Sequence, residues 1–263
     1  CPPDPSIFTC VAGTATSTAA LGDVFKLDAW DEELRRSPLL EALVSLPSYL
    51  ALSGRNPFGV AGDGLIPVAT ACLAIWTAEE MGLDYELTMM PFPPRVFMKE
   101  YLDVNMLGTI PYLTDGEVKM TESVAMAQYL VEKYGPTDLR VSSDEPDYPS
   151  YLNWLFHSDA TLTFPQTVVL RYKLQEPGVA DAAVDGYSRW FVSRLKLLET
   201  TLEDREYLCS DRFTIADICV SYAITLADSL GIEQAFKPNI KRWTDMLFER
   251  AAYKKSMSFK HEE

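Results

Sequence analysis

Glu122 and Ser123, within the stretch "LGTIPYLTDGEVKMTESVAMAQYL" (residues 107–130), stand where two short strand-like segments give way to a helix. The first N–H groups of a helix have no intrahelical partner, and the helix dipole leaves partial positive charge beside them. A helix start at that point can therefore serve the recognition of an anion. Serine and glutamate also act there as plain helix caps. Few other side chains in the chain could do chemistry. Two histidines, His157 and His261, leave little for a His-based metal centre. The five cysteines (Cys1, Cys10, Cys72, Cys209 and Cys219) are odd in number and sit at no metal-ligand spacing, so neither a zinc site nor a disulfide framework is expected. Cys72, inside an apolar run, reads as a small buried hydrophobe.

The elements that must position these residues follow from periodicity. The 263 residues suffice for one large domain or two ordinary ones, and 48% apolar with 23% charged residues is the composition of a soluble globular protein. A net charge of −15 argues against nucleic acid and anionic membranes as partners. The longest apolar run, "LIPVATACLAIW", is too short for a membrane span and reads as a buried helix. Residues 1–60 read as an N-terminal extension, largely irregular with short helices, because "CPPDPS" and "SGRNPFGVAGDG" are dominated by structure breakers. Residues 61–135 alternate: a helix from Pro67 to Met81 capped by Gly82, a strand over "DYELTMM", a helix over "RVFMKEYLDVN", a hairpin over "IPYLTDGEVKMT" and a helix over "ESVAMAQYLVEKYG". Residues 136–150 form a polar linker. Residues 151–255 are helical, at about 151–173, 181–202, 214–229 and 239–250, before a tail at 256–263. Thr214 and Asp217 have the spacing of a capping box, and Trp190 and Trp243 read as core. An α/β domain followed by an all-helical one is the predicted architecture.

On these residues a resemblance can be named. "NMLGTIPYLTDGEVKMTESVAMAQYLVEKYGP" resembles the second half of the thioredoxin-like domain of the glutathione S-transferase superfamily. "DRFTIADICVSYAI" is similar to the capping element of that superfamily's helical domain, and "YLNWLFHSDATL" to the first helix of that domain in bacterial-type members. The likeness runs from about residue 65 to about residue 250 and implies a thioredoxin-like α/β domain followed by an all-α domain.

The resemblance implies a site for glutathione as co-substrate. Pro111 would be cis, and the backbone of Ile110 would pair with the cysteinyl part of the tripeptide like an added strand. Ser123 would hold the γ-glutamyl carboxylate, with Glu122 near the ammonium group. Trp154 and His157, with Phe164 and Tyr172, would line a pocket for a small hydrophobic electrophile. Members of the superfamily lower the thiol pKa with Tyr, Ser or Cys after the first strand, at the start of the first helix. Here Thr70 takes the cysteine position of bacterial members and Val68 the serine position of other classes, so Thr70 is the candidate thiolate partner. The first strand itself is poorly marked. "FGVAGDGLI" precedes the helix and "SYLALS" (Ser48 to Ser53) lies further upstream, which leaves either an enlarged active-site loop or a rebuilt sheet edge.

Two functions follow from the resemblance. One is a glutathione-dependent transferase, or a related lyase or isomerase, adding the thiolate to an electrophile. The other is a non-catalytic subunit acting as a structural or interaction module through its N-terminal extension. A homodimer or a place in a larger complex is expected. So is a cytoplasmic location, or an organelle reached with a targeting segment since removed.

Overall fold

The computed structural model describes residues 8–15, 65–92, 94–232 and 236–258. Its sheet has the strand order β2-β1-β3-β4, built from β1 (Phe8–Ala15), β2 (Tyr85–Phe92), β3 (Tyr112–Asp115) and β4 (Val118–Met120). β1 runs parallel to β2 and antiparallel to β3, and the hairpin β3–β4 completes the sheet. The two-residue loop of that hairpin begins with Gly116 at φ 58°, the backbone state such tight loops require.

The first strand corrects the sequence reading. It comes from "FTCVAGTA", inside the stretch read as an irregular extension, whereas "SYLALS" lies outside the described residues. Small residues and flanking prolines conceal this strand from periodicity. It is held by pairing on both edges and by the burial of Cys10, tertiary effects that outweigh a weak local preference.

Helix α1 (Leu65–Met81) follows from the apolar run and ends at Gly82 with φ 64°. Over Leu73–Ala78 every residue is buried, so this part of the helix shows no polar face. Ala74, Ile75 and Ala78 pack with Cys10 and Leu113 of the sheet and with Met126 and Leu130 of α3 (Ser123–Lys133). Leu73 and Trp76 belong instead to the large core of the helical region. The expected helix over "RVFMKEYLDVN" is replaced by a short helix α2 (Pro94–Phe97) and a 3₁₀ turn at Lys99–Asp103. The chain leaves helical geometry at Met98 (φ −134°, ψ 80°), which lets Tyr101 and Asn105 reach the carbonyl of Thr109.

The helical region starts with α4 (Tyr148–Phe156). It continues through a π turn (His157–Thr163), α5 (Phe164–Leu170) and a second π turn (Arg171–Gln175), where the sequence predicted one regular helix. Pro165 cannot donate an N–H, and a wide turn ahead of it accommodates its ring; the Thr163 hydroxyl donates to the Ser158 carbonyl at 2.7 Å across that turn. Then come α6 (Asp181–Thr201), α7 (Ile215–Ser229), α8 (Pro238–Phe248) and α9 (Ala251–Ser256).

The capping box is present at the start of α7. The backbone N–H of Thr214 donates to Asp217 at 2.9 Å, and the Ala216 N–H donates to the Thr214 hydroxyl at 3.2 Å. Trp243 is fully buried, as read, whereas Trp190 is 53% exposed. The helix expected over 239–250 breaks at Arg250, whose extended backbone lets its guanidinium grip Glu80 of α1 through two bonds at 2.6 and 2.7 Å. The same guanidinium lies 3.9 Å from the centre of the Phe213 ring.

Candidate functional site

The hairpin register brings the two halves of the predicted site together. Leu113 pairs with Met120, so the segments leaving the open end of the hairpin are Ile110-Pro111 on one side and Glu122-Ser123 on the other, running side by side. β3 joins the sheet at Tyr112 opposite Val11, which sets Ile110 and Pro111 at the edge where β1 and α1 are connected. The Ile110–Pro111 peptide is cis. The side chain of Ile110 is buried against Tyr101 and Tyr112, and no hydrogen bond engages its backbone N–H or C=O among the described residues.

Ser123 is the first residue of α3, and Glu122, with an extended backbone, is its cap. The Glu122 carboxylate makes no capping bond; it is exposed and accepts from the Thr121 hydroxyl at 3.3 Å. The opening N–H groups of α3, at Ser123, Val124 and Ala125, thus have no side-chain acceptor among the described residues, and the hydroxyl of half-buried Ser123 makes no hydrogen bond there. The first π turn faces this end of α3. The carboxyl of Asp159 is pushed above its usual range by loss of hydration and by the charge of Glu122.

Three residues that sequence reasoning overlooked hold the approach to Ile110. The Tyr101 hydroxyl donates to the Thr109 carbonyl at 2.8 Å and the Asn105 amide donates to the same oxygen at 2.9 Å. The Asn105 side-chain carbonyl accepts from the Leu107 N–H at 3.1 Å, and Gly108 turns the chain at φ 56°. The available signal was "NMLG", an asparagine that bonds its own backbone two residues on, followed by a glycine.

The remaining candidates are more dispersed. Thr70 lies in the second turn of α1 rather than at its first residue, because the helix begins at Leu65. Trp154 is 3% exposed and forms part of the helical core. His157 opens the π turn with its ring edge-on to Trp154 at 5.3 Å. Burial, then the nearby Arg194 guanidinium, hold its imidazole below the usual range, and its Nε2 is buried without a partner among the described residues. Phe164 is exposed and Tyr172 half-buried.

Comparison with known proteins agrees with the fold. The family described as "Glutathione S-transferase, N-terminal domain" matches residues 71–138, and "Glutathione S-transferase, C-terminal domain" matches residues 191–251. A glutathione S-transferase of Hyoscyamus muticus is 24% identical over 207 residues, covering 76% of this chain and 97% of that one. The structure of glutathione transferase URE2P6 from Phanerochaete chrysosporium, in complex with oxidized glutathione, superposes with a TM-score of 0.63 at 28% identity, over 72% of this chain and 90% of that one. The nitrogen regulation fragment of the yeast prion protein Ure2p has the same fold, with a TM-score of 0.64 at 23% identity, over 72% and 91% of the two chains. With both domain types matched in order, and a thioredoxin-like layer joined to an all-helical one, the chain belongs to the glutathione S-transferase superfamily.

Proposed function

We propose that this protein is a glutathione-dependent transferase, or a related lyase or isomerase, that adds the glutathione thiolate to a small hydrophobic electrophile. The observation that carries the reading is the convergence at the open end of the hairpin. The backbone of Ile110 and the N-terminus of α3, both without partners among the described residues, lie side by side there. The first suits the amide groups of an extended tripeptide and the second suits its γ-glutamyl carboxylate. In this reading Pro111 shapes the main-chain arm, Ser123 donates to the carboxylate and Glu122 accepts from the ammonium group. Thr70 donates to the thiolate, while Trp154 and His157 shape the wall on the acceptor side. The named ligands of relatives support the choice of ligand, since URE2P6 was crystallised with oxidized glutathione.

Retention of the full chain on immobilised glutathione, followed by conjugation of a generic aromatic electrophile, tests the reading; no binding at millimolar glutathione would sink it. Ser123→Ala should weaken glutathione binding by about 1–3 kcal/mol, the usual loss when one donor to a charged group is removed. Affinity measured by calorimetry checks this, and an unchanged value would place the carboxylate elsewhere. Thr70→Val is nearly isosteric and removes only the hydroxyl. It should lower turnover by about 100-fold while sparing affinity, the scale seen when one donor to a developing anion is lost. A fully active variant would remove Thr70 from the mechanism.

One observation favours the second reading, a non-catalytic structural or interaction subunit. Residues 16–64 lie between β1 and α1, where superfamily members carry their Tyr, Ser or Cys, so this chain gives that connection to a long inserted segment. The neighbour named for nitrogen regulation, Ure2p, supports the idea that this fold can serve regulation. Binding without conjugation would select this reading. Either role fits a homodimer or a larger assembly, and Met106 and Leu107, both well exposed, are suited to such a contact.

A further inference from the structure

Between α4 and the C-terminal end of α6 lies an open cleft of about 370 Å³, to which the loop after α6 contributes Asp204, Arg205 and Leu208. Its apolar surface comes from buried Trp154 and Leu208 and from Leu197, which is 47% exposed. Ser150 and Asn153 of α4, and Thr200 and Thr201 of α6, supply neutral polar groups. Elsewhere in the helices of this chain, hydroxyls donate to the carbonyl four residues back. Thr77, Thr225, Ser229 and Thr244 do so at 2.8, 3.2, 3.0 and 3.0 Å. The cleft is different. The hydroxyls of Ser150, Thr200 and Thr201, the amide of Asn153 and the carboxylate of Asp204 make no hydrogen bond or ion pair among the described residues. Arg205 is the exception, held by Asp147 at 2.9 Å. Five uncommitted polar side chains therefore border one cleft with an apolar surface.

We propose that this cleft binds a neutral polyhydroxylated ring, the chemistry shared by a monosaccharide and a cyclitol, with its C–H face on Leu197 and its hydroxyls on Asn153, Thr200, Thr201 and Asp204. The polar groups select this occupant. Hydroxyls and an amide both donate and accept, and a carboxylate accepts from two hydroxyls at once, so each can bond a ring hydroxyl whichever way that hydroxyl points. An anion would instead meet the unpaired Asp204 in a chain carrying −15 overall. A compact ammonium would satisfy Asp204 but leave the Asn153 amide N–H groups and the Arg205 guanidinium facing a positive charge. Size agrees as well, since the volume is at the small end of the range for small-molecule sites, about 300–1,000 Å³. The proposal does not rest on glutathione binding.

The test titrates the full chain with methyl glucoside and with myo-inositol, followed by ligand-observed NMR, with cyclohexanol and cyclohexylamine as controls. At least one polyol should bind with millimolar affinity, and the tighter of the two tells sugar from cyclitol. Cyclohexanol, a ring with one hydroxyl, should bind about tenfold more weakly. Thr200→Val should weaken polyol binding by about fivefold, one neutral hydrogen bond, and Asp204→Ala by about tenfold. Both variants should keep the parent's melting temperature, since both side chains are exposed and without partners among the described residues. Glutathione retention should be the same in Thr200→Val as in the parent. No binding of either polyol at tens of millimolar, equal binding of cyclohexanol or cyclohexylamine, variants that bind as the parent does, or displacement of the polyol by glutathione or by the aromatic electrophile would each overturn the proposal.

Discussion

Asp217→Ala is expected to destabilise the protein by about 3–5 kcal/mol, the range for breaking a buried polar network. Asp217 is fully buried, and its two carboxylate oxygens fix three pieces of chain. One oxygen accepts from the Thr214 N–H at 2.9 Å and the Thr214 hydroxyl at 3.3 Å, holding the start of α7. The other accepts from the Leu208 N–H at 3.0 Å and the Trp243 indole at 3.2 Å, tying in the loop before α7 and the middle of α8. Alanine would leave these donors buried and unpaired inside the helical core, beside a void the size of the lost carboxylate. Urea denaturation measures the loss. Asp217→Asn retains one oxygen acceptor but turns an amide donor toward other donors, so it should recover only part of the stability. A variant as stable as the parent would show that solvent or rearranged partners satisfy those groups.

Gly108→Ala should cost about 2–4 kcal/mol of stability, adding left-handed backbone strain to overpacking. Gly108 sits at φ 56°, and a Cβ there would lie 2.5 Å from Arg95 Cβ, 2.9 Å from Leu102 Cδ2 and 3.3 Å from Arg95 Cα. The leucine end could swing aside; the backbone of α2 could not without moving the helix. The displaced segment carries the Thr109 carbonyl, on which Tyr101 and Asn105 converge, and leads straight into Ile110. Glutathione affinity should therefore fall by about tenfold in this variant, since a displacement on the order of 1 Å in a positioning element can cost that much or more. Denaturation and calorimetry on one preparation separate the two effects. Loss of stability with full affinity would mean that the main-chain arm is not at Ile110.

Much of this was legible from residue types. "TDG" announced the hairpin, the apolar run from Leu65 to Trp76 announced a buried helix, and Thr214 with Asp217 announced a capped helix start. Each is a local signal whose cause lies within a few residues. What was hidden depends on distant partners. β1 is made of small residues and acquires its order from β2 and β3 on either side. The break at Met98 is set by Tyr101 and Asn105 reaching forward to Thr109, and the break at Arg250 by an ion pair with a residue in the other domain. In the candidate site, the pairing of Ile110 with Ser123 was suggested by the family resemblance of "GTIP" and "TES", and the hairpin register brings the two segments side by side. The supports behind it were missed because a buried asparagine looks like any loop residue until its partner is known.

The two buried faces of α1 bear on how ligands could come and go. The helix is shared property, its one side part of the sheet core and its other side part of the helical core. The segment joining the domains is fastened as well. Arg212 bonds Glu145 and the carbonyls of Asp138 and Arg140, Asp147 accepts from Arg205 and from the Ser210 N–H, and the Ile215 N–H donates to Leu139. Among the described residues, these bonds fasten the joining segment to the helical region and resist a swing of one domain about it. For a tripeptide at the open end of the hairpin, as proposed, entry and exit would then fall to side chains and loops around Ile110 and Ser123, on the fast timescale of local motion, while the frame behind them stays fixed.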